Sequence, residues 1–182
     1  MGIIKFFKEL SNFTKIVTDA AQAASEESAE LPVLHANMDD DTLFETAVER
    51  IDILVELNEE DAENAPLTLP QRYCYALNLL ELEVNNGGLC QFFVNSSRSL
   101  APYVDECLQA IGAEKHRKLF AEFVTNNQIN LNSLDSFRIS SVEEYAAKTE
   151  HYDFDAFDNS YYELSPLQDF IVAYVKANIS EF

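Results

Sequence analysis

The sequence predicts an all-α fold, a single compact domain of about eight helices, from three observations. Apolar residues recur at spacings of three and four through most of the chain. Only four Gly and five Pro occur in 182 residues, too few for the tight turns of an all-β protein. Hydrophobic residues make up 47%, with thirteen Phe and eight Tyr but no Trp, enough for an aromatic-rich core and against a wholly disordered acidic chain. The length fits one domain, or one domain with an extension.

Residues 3–24 read as an amphipathic helix with Ile3, Phe6, Phe7, Leu10, Phe13, Ile16, Val17 and Ala20 on its apolar side. With Lys5, Lys8 and Lys15 against Glu9 and Asp19, it is the net-basic stretch of the chain. A linker-like segment follows, containing Ser25-Glu26-Glu27-Ser28, Pro32 and Asp39-Asp40-Asp41. Residues 1–38 therefore read as a helical appendage expected to dock on the body or on a second subunit, and 39–182 as the helical domain. A second helix is expected over about 41–58, capped by Asp41 or Thr42, with Phe44, Ala47, Val48, Ile51, Leu54 and Val55 inward. After an acidic connection, Leu69-Pro70-Gln71-Arg72 opens a third, since Pro suits a first helical turn. Tyr73, Ala76, Leu77, Leu80 and Val84 mark its buried side. Asn86-Gly87-Gly88 should end it, because Asn and Gly accept the left-handed conformation of a helix C-cap. A short helix restarts at Leu89-Cys90-Gln91-Phe92-Phe93. Further helices are expected over 99–111, stopped at Gly112, and over 113–124, broken at Asn126-Asn127. Residues 125–165 read as irregular apart from a short helix near 141–149. A last helix spans 166–179, with Leu167, Phe170, Ile171, Tyr174 and Val175 inward. No strand is convincing.

Charge is the loudest signal, at −20 net. A monomer of this mass exposes roughly 8,900 Å², or about one net charge per 450 Å². Duplex DNA, taken as a cylinder about 20 Å across, carries about one phosphate per 110 Å². The chain could imitate DNA only by concentrating charge on one face, and the same repulsion disfavours direct binding of nucleic acid. Glu45, Glu49, Asp52 and Glu56 are placed to do so. At ~100° and ~1.5 Å per residue they form a row about 16 Å long within an arc of about 60°, opposite the apolar face. Arg50 is the nearest cation that could relieve it. An ordinary solvated face is the competing reading. Asp153, Asp155 and Asp158, alternating with aromatics in the tract 151–158, form a second acidic set.

Chemistry is harder to find. His35, His116 and His151 lack metal-ligand spacing. An EF-hand counted from Asp153 would need Gly at its sixth position and Glu at its twelfth, where Asp158 and Leu164 stand. No metal or cofactor is expected. Cys74, Cys90 and Cys107 form no CxxC pair and read as reduced, packed thiols of a cytoplasmic protein. Cys90 follows two glycines at a helix start, where the helix dipole can lower a thiol pKa, with His116 as a conceivable partner. No phosphate-binding loop, nucleophile elbow or dinucleotide fingerprint occurs, so no catalytic residue is expected. No apolar run is long enough to span a membrane.

The segment from Glu83 to Ser97 resembles a bacterial family of unknown function that contains an acidic DNA-mimic protein. The resemblance is carried by Asn86, Gly87, Gly88, Leu89, Gln91, Phe92, Phe93 and Asn95. Downstream, Ala110-Ile111-Gly112-Ala113 and the tract 155–164 are similar as well, so the likeness extends over about 40–180. It implies an α-helical fold and, by analogy with the described member, an acidic dimer that occupies the DNA-binding surface of a transcription factor. The motif itself reads as structural: the glycines permit a reversal, and Gln91 and Asn95, four apart, could satisfy backbone groups around it. The leading functional expectation is a non-enzymatic acidic protein that binds a basic, nucleic-acid-binding protein. The alternatives are an immunity or scaffold-type interaction protein, and a small-molecule binder or enzyme using the Asn86–Asn95 region.

Overall fold

The computed structural model describes residues 31–57 and 65–182. The expected amphipathic helix at 3–24 and most of the acidic connection before residue 65 lie outside these residues. The described residues form seven α-helices and no strand: α1 (Asp40–Glu56), α2 (Leu69–Val94), α3 (Val104–Ala110), α4 (Glu114–Asn126), α5 (Val142–His151), α6 (Phe154–Tyr162) and α7 (Leu167–Ala177). A 3-10 helix at Ser96–Tyr103 leads into α3, and shorter ones sit at Asp135–Phe137 and Ile179–Glu181.

The helix starts follow capping chemistry. The cap is Asp39, two residues before the expected Asp41; it accepts from the Thr42 N–H at 3.0 Å and from its hydroxyl at 2.8 Å. Thr68 and Gln71 form a reciprocal capping box at the start of α2, with Pro70 in the first turn as expected.

Helix α2 is the axis of the fold. It packs against α1, α3, α5, α6, α7 and the 3-10 helix at 96–103. As expected, its regular first half breaks at Asn86-Gly87-Gly88, and a second helical segment restarts at Leu89 and runs to Val94, the two joined across a kink. Gly87 (φ −158°, ψ 23°) and Gly88 (φ 76°, ψ 174°) leave the helical region. Past the kink, Phe92 and Phe93 are fully buried. The Phe93 ring stacks on Phe137 at 4.7 Å between centroids and meets Phe92, Phe120, Phe123 and Phe154 within 6.3 Å. The bend thus aims Phe93 into the space between α4, α6 and the 135–137 turn.

Two expectations are corrected. The stretch 99–111 is a 3-10 helix through Tyr103 before α3 begins, with Pro102 inside it. A proline cannot donate to the α-helical ladder. The stretch 125–165 is less irregular than expected, because α6 forms within it. Its aromatics Phe154, Phe157 and Tyr161 are buried together, and their spacing of three and four is helical. The alternation of aromatic and acid over 151–158 masked that period.

Candidate protein-interaction surface

Helix α1 buries Leu43, Ala47 and Ile51 against the core and packs on α2 and α7. The opposite face carries Glu45, Glu49, Asp52 and Glu56, all exposed. These four, with Phe44, Val48 and Ile53, line an open groove of about 440 Å³. On the helix surface Phe44 and Val48 flank the carboxylate row on one side and Ile53 on the other. Burial and, secondarily, the neighbouring Glu56 raise the Asp52 carboxyl above the usual carboxylate range.

Among the described residues, no basic side chain makes an ion pair with these four carboxylates. Arg50 does not relieve the row: its Nη1 donates to the Pro32 carbonyl at 2.8 Å. Lys176 is engaged with Asp40 at the start of α1, and Arg117 with Asp105 and Glu114 on α3 and α4.

The second acidic set behaves differently. Asp153 and Asp155 are exposed around the start of α6. Asp158 is half-buried, and its Oδ1 accepts from the Leu89 N–H at 2.8 Å. Asp158, expected with Asp153 and Asp155 on an acidic partner-binding surface, has one carboxylate oxygen engaged at the kink, where it caps the second half of α2. Burial raises its carboxyl pKa, opposed by the Leu89 hydrogen bond. Helix α6 packs mainly on α2 and α4, whereas α1 packs mainly on α2 and α7. The two acidic sets thus sit on different neighbours.

The glycine motif is a joint whose freed backbone groups are closed by side chains from distant helices. The Tyr162 hydroxyl donates to the Val84 carbonyl at 2.7 Å, and the Tyr145 hydroxyl to the Gly87 carbonyl at 3.2 Å. A Cβ on Gly88 would lie 2.1 Å from Asp158 Oδ2, so close approach and positive φ both require glycine there. Gln91 and Asn95 do not serve backbone groups, as expected above. Their amides donate to the Glu83 carboxylate, Gln91 Nε2 at 2.6 Å and Asn95 Nδ2 at 2.9 Å, and the Ser97 hydroxyl joins at 2.8 Å. One carboxylate therefore gathers three side chains across the bend. Sequence reading overlooked Glu83, although it stands in the same segment; its spacing of eight from Gln91, about two helical turns, was the available signal.

With their amide nitrogens engaged by Glu83, Gln91 and Asn95 do not offer those donors to a ligand. Nor is Cys90 activated. It is buried, and burial pushes its thiol up to about 11, opposite to the expected effect of a helix start. His116 is buried against the rings of Tyr161 and Phe170. No cluster of metal-ligating side chains occurs among the described residues. None of their helices is long and apolar enough to cross a membrane.

The family model described as DMP19-like protein matches residues 65–178. That span takes in α2 to α7 and leaves α1 outside, so the likeness is narrower than the 40–180 expected from sequence. No curated protein and no solved structure matches the chain.

Proposed function

The chain belongs to the DMP19-like protein family, and from that premise we propose a non-enzymatic, acidic protein-binding protein whose α1 face stands in for nucleic acid before a basic partner. The observation that supports this reading is the row Glu45, Glu49, Asp52 and Glu56, exposed along one groove without a paired cation among the described residues. The partner class is a basic protein such as a DNA-binding transcription factor, whose Lys and Arg side chains meet the row. Because α1 lies outside the family-matched span, the reading rests on this chain's own residues.

Magnitude limits the mimicry. Four carboxylates over about 16 Å give about one charge per 4 Å, against one phosphate per ~1.7 Å of duplex. The row imitates a short stretch of phosphates rather than a long duplex. Affinity should fall with salt, more gently than for a protein making many phosphate contacts.

The test is capture of a partner from cytosol on the immobilised full chain, with elution by duplex DNA and by salt in parallel. A basic, DNA-binding protein released by both agrees with the proposal. Glu49→Lys/Asp52→Lys should weaken its retention by about tenfold or more, since the reversal opposes the partner's charges as well as removing attraction. Unchanged retention in that variant overturns the assignment of the surface. A partner that resists both elutions replaces the reading with the scaffold or immunity class.

A further inference from the structure

We propose that the protein binds one internal water molecule between His116 and Tyr161, hydrogen-bonded to both, which ties α4 to α6 beside the start of α7. This site stands apart from the α1 face and does not depend on how that face is read.

Three observations carry it. The first is a pair of buried polar side chains without protein partners. His116 is 3% exposed and Tyr161 6%. Among the described residues, nothing makes a hydrogen bond to either ring nitrogen of His116 or to the Tyr161 hydroxyl. Each such atom left bare lowers the folding equilibrium constant by about fivefold or more. Buried polar groups of folded proteins therefore nearly always have a partner, from protein or from ordered water. The second is proximity. The two rings meet edge to face with 5.3 Å between centroids, and Phe170 meets the imidazole at 5.6 Å. The unpaired atoms thus belong to one junction of α4, α6 and α7 and are not scattered through the core. The third is the engagement of the neighbours. Glu81 lies near enough to Tyr161 to oppose ionisation of its hydroxyl. Its Oε1, however, accepts from the Leu167 N–H at 2.9 Å, at the start of α7. The Ser165 backbone favours a charged imidazole without making a well-formed bond to either nitrogen.

The chemistry of these groups selects water over an ion. Burial holds His116 toward its neutral form, so the junction has no charge to balance an anion, and the pair offers no carboxylate to a cation. A neutral imidazole has one donor and one acceptor nitrogen, and a phenol hydroxyl both donates and accepts. Water, also donor and acceptor, completes both side chains at once. The Ser165 carbonyl supplies a third partner, and about three is the usual complement of a buried water. Folded proteins hold about one such water per 27 residues, so one in a chain of this size is ordinary.

The test starts from a crystal structure of the full chain at a resolution that shows ordered water. A density peak within hydrogen-bond distance of Tyr161 Oη and one ring nitrogen of His116 is expected. A direct bond between the two side chains, or a junction without that peak, overturns the proposal. Relaxation dispersion of water ¹⁷O in solution, which counts long-lived internal waters, gives a second readout. His116→Phe/Tyr161→Phe should hold one fewer than the native chain, and an equal number overturns the site. Tyr161→Phe alone removes the hydroxyl and keeps the ring. If water completes that hydroxyl, the thermal midpoint should fall by about 2–4 °C. If the hydroxyl has no partner, its removal relieves an unpaired buried group, so a midpoint that stays or rises overturns the proposal.

Discussion

Glu83 holds the kink closed through Gln91, Asn95 and Ser97. Removing its carboxylate leaves the Gln91 and Asn95 amides without their acceptor and the Ser97 hydroxyl with only the Phe92 carbonyl. Glu83→Ala should lower stability by about 1–3 kcal/mol in urea unfolding, and Glu83→Gln, which keeps one acceptor oxygen, by less. Gly88→Ala should cost about 1–3 kcal/mol from its positive φ, with the clash on Asp158 adding to it. Asp158→Ala should cost about 1 kcal/mol, the usual penalty for a lost helix cap, while Asp158→Asn should keep most of the bond to Leu89. If the Ala and Asn variants unfold at the same midpoint as the native chain, Asp158 is a surface charge after all. The glycines, Gln91 and Asn95 were visible in the sequence as a joint. Asp158 was not visible as its cap, because it lies 69 residues from Leu89 and nothing local ties them.

At the scale of the element, α1 and α6 show when periodicity is readable. Both bury residues three and four apart, Leu43, Ala47 and Ile51 in one and Phe154, Phe157 and Tyr161 in the other. In α1 the acids Glu45, Glu49, Asp52 and Glu56 share one face apart from the apolar one, so the 3.6-residue period stands out. In α6 acids alternate with aromatics, and the short-range pattern looks like period two. The carboxylates of α1 repel one another at spacings of three and four, which disfavours the helix slightly. Glu49→Lys/Asp52→Lys relieves that repulsion, so its thermal midpoint should equal or exceed that of the native chain even as partner binding is lost. A lowered midpoint would mean the row contributes to the fold rather than to recognition.

At the scale of the whole molecule, acid and salt act through different groups. Net charge of −20 makes the chain repel itself, so added salt should raise the unfolding midpoint at neutral pH. His116 works on the acid side. Burial between Tyr161 and Phe170 lowers its pKa below the ordinary 6.5, outweighing the Ser165 backbone that favours the charged form. Below pH ~6.5 the unfolded chain therefore binds a proton that the folded chain resists, and stability falls as pH drops through that range. Relief of carboxylate repulsion runs the other way, so the comparison must be made against a variant. His116→Phe should lose less stability between pH 7 and 5 than the native chain does; equal losses would remove His116 from the account. The sequence by itself determined the helical class, the bend at Gly87-Gly88 and the exposure of the α1 row, because helical period and glycine freedom act within a few residues. Only the tertiary structure decided that Asp158 caps Leu89, that Tyr162 closes the Val84 carbonyl and that Arg50 turns from the row to Pro32. Those partners come from separate elements, and a hydrogen bond across 69 or 78 residues forms only once packing has brought its two ends together.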